Sequence, residues 1–219
     1  MARRALPTIT TAFTVAAALL LAGCGGGDDA SSGGIEGADT GSGSPSASAS
    51  ADSSGPDVSL SKDLKLDFDF AKPSDAKHAA ALTSAENYLR ALNHGFIKQD
   101  PDDPAYQYYS SGQAADYAKQ QIQSWVKGGW TPVGTDKYYD EDITDLSSQR
   151  ILVTFCRNQE KFYGKEIKTG KVLYTGKSLI NYQKFSLAMG PASGSGSGSS
   201  QVWKTQIIQV QGKVKECQR

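Results

Sequence analysis

The sequence predicts an α+β domain in which N-terminal helices pack on one face of an antiparallel β-sheet. Three observations predict it. Between Pro73 and Lys127, apolar side chains recur at three- and four-residue steps. From Lys137 onward, runs rich in β-branched and aromatic residues alternate with turn residues. A Gly/Ser tract between Gly25 and Asp57 separates both from what precedes them. Helices first and strands second is the order of a segregated α+β layer structure.

The chain begins with a different kind of segment. Arg3 and Arg4 precede an uncharged stretch from Ala5 to Gly23 with the apolar core Val15-Ala16-Ala17-Ala18-Leu19-Leu20-Leu21, which reads as the n- and h-regions of an export signal. Leu21-Ala22-Gly23-Cys24 then resembles the lipobox of bacterial lipoproteins. The resemblance implies cleavage before Cys24 and a diacylglycerol on its thiol. It also implies a protein held on the outer face of the cell membrane, with the membrane as its first partner. Two acyl chains anchor stably where one binds only marginally. A retained transmembrane anchor competes, since the uncharged run approaches a membrane span, although Pro7 and the threonines weaken it. An ordinary secretory signal with a chance cysteine is the other alternative. Arg3-Arg4 hints at twin-arginine export, but its flanks fit the general route better.

Residues 24–57 form a linker. Eighteen of the thirty-three residues from Gly25 to Asp57 are Gly or Ser, and Ile35 is the one large apolar side chain. Such a segment buries too little surface to offset its chain entropy, so it is expected to be a disordered tether reaching roughly 30 Å. The single domain, residues 58–219, follows. Its charge is divided: Val58–Gln149 carries nine Lys/Arg against fourteen Asp/Glu, and Arg150–Arg219 twelve against three.

Within the domain, Pro73-Ser74-Asp75 starts a first helix carrying Leu82, Ala85, Leu89, Leu92 and Phe96, with Gly95 as its expected stop. Asp103-Pro104 caps a second helix. Gln113 to Lys127 forms a third, ended by Gly128-Gly129. Strands are predicted at Lys137–Ile143, Arg150–Arg157, Val172–Tyr174, Ser178–Ala188 and Gln201–Val210. Turns fall at Thr169-Gly170 and Gln211-Gly212. The Gly/Ser run from Gly190 to Ser200 reads as a tolerant hairpin tip; strands on both sides exclude a phosphate cradle.

This order of elements resembles the nuclear-transport-factor-2-like, or cone-shaped, superfamily over residues 73 to 217. The helix Ala79–His94 and strands such as Ile151-Leu152-Val153-Thr154-Phe155-Cys156 and Trp203-Lys204-Thr205-Gln206-Ile207 carry the likeness. It implies a strongly bent, cone-like sheet, an interior pocket, and a homodimer as the common assembly. The chain is also similar to lipoproteins of high-GC Gram-positive bacteria. Enzymes of the cone superfamily, such as ketosteroid isomerases and SnoaL-like cyclases, place Asp, His and Tyr in the pocket. No such set maps residue by residue onto this chain.

With Cys24 assigned to lipid, Cys156 and Cys217 remain, and an even remainder in an exported protein suggests a disulfide. Two free buried thiols are the alternative. His78 and His94 lie sixteen residues apart, which is no metal-ligand spacing. His94 reads as a favourable charge at a helix C-terminus. Asp140-Glu141-Asp142 with Asp145 lacks the Gly and the closing Glu of a calcium loop, so no metal or cofactor is implied. Tyr106, Tyr108, Tyr109 and Tyr117 add aromatic weight. Tyr88, Tyr109, Trp125 and Trp130 are the candidate lining of a small apolar-ligand pocket, with simple core packing as the competing reading. Lys161, Lys165, Lys168, Lys171, Lys177 and Lys184 favour anionic envelope polymers or headgroups, or merely protect sheet edges. Export argues against nucleic acid. The reading is a lipid-anchored binding or interaction module of the envelope without catalysis of its own. A small-ligand carrier or pocket enzyme is the alternative, and an accessory domain docked to an envelope protein is a further one.

Overall fold

The computed structural model describes residues 55–193 and 201–219. Cys24, the expected export segment, nearly all of the expected linker and most of the Gly/Ser run from Gly190 to Ser200 lie outside the described residues. The elements run β1 (Leu64–Asp69), α1 (Ala76–Lys98), α2 (Pro104–Tyr109), α3 (Gln113–Gly128), β2 (Trp130–Ser147), β3 (Arg150–Glu166), β4 (Val172–Leu173), β5 (Tyr182–Pro191) and β6 (Trp203–Gly212). One sheet of order β1-β2-β3-β5-β6, with β4 on the far end of β3, takes all six strands. The helices cover one of its faces.

Local chemistry explains the helices. Asp75 caps α1 by accepting from the His78 N–H at 2.8 Å, and the predicted apolar stripe is buried, with Ala85 and Leu89 almost fully inaccessible. Gly95 does not end the helix. It lies where a Cβ would collide with Ile122 of α3, so its role is close helix packing. The chain instead turns at Gln99, in left-handed conformation at φ 56°. Asp103 caps α2 by accepting from Ala105 at 2.7 Å with proline in its first turn. Gly129 closes α3 at φ 67°.

The strands are longer than expected. β2 and β3 pair from Trp130↔Glu166 to Ser147↔Arg150, extending well beyond the predicted segments. Three register shifts break the alternation of β2, at Thr135/Lys137, Tyr139/Asp142 and Asp145/Ser147. Bulges of this kind bend a strand. The result is the helix-covered, bent, cone-like sheet. It is not wholly antiparallel, because β1 pairs with β2 in parallel, Leu64↔Gly134 through Asp69↔Tyr139. Ser178 opens a 3₁₀ turn at Leu179–Asn181, so β5 starts four residues later than expected. β5 and β6 pair antiparallel from Gln183↔Gly212 to Pro191↔Trp203.

The sheet has a core on each face. The main one joins the helices to Tyr138, Phe155, Phe185 and Leu187. A smaller one, on the other face, gathers Tyr139, Cys156, Tyr182, Val214 and Cys217. Cys156 and Cys217 are joined as a disulfide there, their Cα atoms 5.3 Å apart. The Tyr139 hydroxyl donates to the Cys217 carbonyl.

Candidate functional site

The site is built on one row of paired residues. Tyr138 of β2 stands opposite Arg157 of β3, and Arg157 stands opposite Gln183 of β5. All three face the helices, because residues directly opposite in a sheet share a face. Asp136, two residues before Tyr138 and at the first register shift of β2, points the same way and is fully buried.

Asp136 fixes the arginine. The Arg157 Nε donates to its two oxygens at 2.8 and 2.9 Å, and Nη2 donates at 2.7 Å. The Tyr138 hydroxyl donates to the same carboxylate at 2.7 Å, and Arg157 Nη1 donates to Gln183 Oε1 at 3.1 Å. The guanidinium lies over Phe162, 5.0 Å from its centroid. Although burial opposes its charge, Asp136 holds the Arg157 pKa above its ordinary value. Burial, and then the neighbouring carboxylate, push the Tyr138 hydroxyl well above its usual range. Tyr117 is also raised by burial, with Arg157 opposing. The tyrosines therefore stay protonated hydroxyls.

Tyr138, Arg157 and Gln183 form part of the wall of a cavity of about 200 Å³ between α1, α3 and the sheet, with Asp136 behind them. Phe96, Tyr117, Trp125, Tyr138, Phe162 and Phe185 supply its aromatic walls. Asn93, Gln121, Arg157, Gln159 and Gln183 supply its polar groups. Asn93, only 3% exposed, donates its amide to Leu89 O at 2.9 Å. Its Oδ1 has no hydrogen-bond partner among the described residues. An orphaned buried acceptor in a cavity wall is unusual. A wider surface crevice of about 460 Å³ lies beside Gln218 and Arg219, with some of its polar side chains already engaged. Tyr182 donates there to Glu160, and Arg219 to Asp140.

The four aromatic residues expected to share a pocket do not. Trp125 lines the cavity, stacked on Phe96 at 4.9 Å and edge-on to Phe162 at 5.7 Å. Trp130 packs edge-on against Trp125 from outside and is 38% exposed. Tyr88 is core: it is fully buried, and its hydroxyl donates to Ala114 O at 2.9 Å. Tyr109 packs edge-on against Tyr108, away from the cavity lining. Tyr88 sits on the face of α1 turned toward α3, which spacing along the chain does not reveal.

His94 also differs from expectation. Because α1 continues to Lys98, His94 is not at its terminus. It is buried, with Nδ1 2.7 Å from Asp103 Oδ2. His78 lies at the surface, 3.3 Å from Asp145. The acidic run near residue 140 is dispersed among separate partners. Asp140 meets Arg219, Glu141 accepts from the Ala71 N–H, and Asp145 meets Lys77. No group of three potential metal ligands occurs among the described residues. Lys161, Lys168, Lys171, Lys177 and Lys184 are exposed, and Lys165 pairs with Asp63 at 2.9 Å.

No protein-family model matches the chain, and no curated protein matches it. Two solved structures are similar to it. One is a ketosteroid isomerase-like protein from Erwinia carotovora atroseptica, at 14% identity and a TM-score of 0.41, covering 61% of this chain and 94% of that one. The other is a proposed scytalone dehydratase from Novosphingobium aromaticivorans, at 9% identity and a TM-score of 0.34, covering 58% and 85%. These likenesses assign neither a family nor an activity to the chain.

Proposed function

We propose that this chain is a lipid-anchored binding module of the outer membrane face, and that its head holds a small molecule in the cavity beneath α1 and α3. One observation carries the binding reading. A guanidinium is immobilised in the cavity wall by Asp136 and Gln183, while the buried Asn93 Oδ1 has no partner among the described residues. Pre-positioned polar groups among aromatic walls are what a small-molecule site requires. The same geometry argues against acid–base catalysis. The Asp136 oxygens are engaged by Arg157 and Tyr138, and the tyrosines hold their protons, so the cluster offers no free base.

The anchor reading rests on Arg3-Arg4, the apolar run and Leu21-Ala22-Gly23-Cys24. Cys24→Ser should move the chain from the membrane fraction to the soluble one; unchanged fractionation would sink that part. For the cavity, the full chain is taken from its own membranes and its native mass is recorded before and after denaturation. A small mass lost on denaturation, and absent from an Asn93→Leu variant that melts normally, supports a bound molecule. A bare chain in every preparation, with no small molecule retained, refutes it.

A further inference from the structure

We infer that the cavity's ligand is an uncharged molecule with one flat ring, bearing a hydrogen-bond acceptor for Arg157 and a donor for Asn93. The inference rests on the cavity being a binding site and deepens that reading in three steps, from charge, size and polarity.

Charge comes first. Among the described residues Arg157 is the only cation in the cavity wall, and Asp136 already neutralises it through three short contacts. An anionic ligand would bring a second negative charge beside a buried carboxylate, and a cationic one would meet the guanidinium. Neither gains a free counter-charge to offset its desolvation. An uncharged ligand faces no such penalty.

Size and shape come next. A cavity of 150 Å³ lined by apolar side chains takes benzene, so about 200 Å³ accommodates one ring with one or two small substituents. The walls select for flatness. Trp125 stands between Phe96 and Phe162, and Phe155 stacks behind Phe185 with centroids 5.4 Å apart. Aromatic faces hold a planar guest by offset or edge contacts that a puckered ring cannot make.

Polarity fixes the substituents. Arg157 has five N–H groups, of which Nε, one on Nη1 and one on Nη2 meet Gln183 or Asp136. The two others remain for an acceptor. Asn93 Oδ1 lacks a donor, because the amide nitrogen is committed to Leu89 O. A ligand supplying both would relieve a buried orphan that otherwise carries an uncompensated desolvation cost. A carboxamide or a phenol on one ring meets this requirement.

The test uses the full chain in nanodiscs, isotope-labelled so that the Trp125 indole N–H reports binding. Three water-soluble probes separate the terms: benzamide is flat and uncharged, benzoate flat and anionic, and cyclohexanecarboxamide uncharged but puckered. Benzamide is expected to bind at least tenfold more tightly than either control, and Asn93→Leu to erase most of that margin. Benzoate binding as tightly as benzamide would overturn the charge argument. Equal binding of the puckered amide would overturn the shape argument. Both results leave the cavity standing as a binding site. If no probe binds while the native mass still shows an adduct, the class is wrong and the site is right. If neither is seen, both readings fall.

Discussion

Removing Asp136 alone should destabilise the fold more than removing Asp136 and Arg157 together. The carboxylate is fully inaccessible and the arginine side chain 15% exposed, with Nη2 2.7 Å from Oδ2. In Asp136→Leu the guanidinium keeps its charge without a counter-ion, and the Tyr138 hydroxyl loses its acceptor. Breaking a buried pair in this way costs about 3–5 kcal/mol. The lower end applies here, because part of the guanidinium reaches water. In Asp136→Leu/Arg157→Met no charge remains, and the methionine can lie along Phe162 where the arginine lay. The Tyr138 orphan is common to both variants and cancels in the comparison. The double variant should therefore recover at least about 1 kcal/mol relative to the single one. Urea unfolding followed by tryptophan fluorescence and far-ultraviolet circular dichroism measures the difference by linear extrapolation. A double variant as unstable as Asp136→Leu would refute the reasoning. So would a single variant within about 1 kcal/mol of the parent, for the pair would then not be a buried charge held by one partner.

Three further outcomes follow from other parts of the fold. Replacing Cys156 and Cys217 by alanine opens a closure spanning 61 residues and should cost about 4 kcal/mol by chain entropy; a loss under about 1 kcal/mol in urea would contradict it. Lys165 holds the Asp63 carboxyl below its ordinary 3.8 by hydrogen bond and charge. That stabilisation is complete above pH 3.8 and is lost as pH falls through the lowered folded value. Lys165→Met should therefore shallow the acid limb of the stability profile, and an unchanged limb would show the pair to be inert. Gly134 sits at φ +95°, where a Cβ would run into the Lys161 carbonyl. Gly134→Ala should cost about 2 kcal/mol or more, and a thermal midpoint matching the parent would count against this strand contact.

Much of the architecture was legible because it rests on periodicity and caps. Asp75, Asp103 and Gly129 mark helix limits in sequence as they do in structure. Gly95 misled for a physical reason: a glycine that ends a helix and one that admits a neighbouring helix look the same along the chain. β1 carried its own signal in Leu64-Lys65-Leu66, whose alternation matches its burial, but a short strand before a helix is easily passed over. The cavity was less legible. Asp136 lies in a polar-looking stretch, Thr135-Asp136-Lys137, just before the predicted strand, and the extension of β2 back to Trp130 places it on the same face as Tyr138. Arg157 is the last residue of the strand predicted at Arg150–Arg157. The nine further residues of β3, to Glu166, make it an interior position. Of the residues proposed from aromatic content, Tyr117 and Trp125 line the cavity while Tyr88, Tyr109 and Trp130 do not, because three-dimensional register decides which ring faces which layer.

Cys156 and Arg157 are chain neighbours that face opposite sides of the sheet, one in the outer cluster and one in the cavity. Successive strand residues always diverge in this way, so a slip of one position would exchange them. The guanidinium would then stand among Tyr139, Val214 and Tyr182, and the thiol would point away from Cys217. A chain with that misalignment has no means of closing its sulfur bridge. Oxidation on one side of the sheet thus tests the alignment on the other, and each molecule that carries the bridge has its arginine indoors.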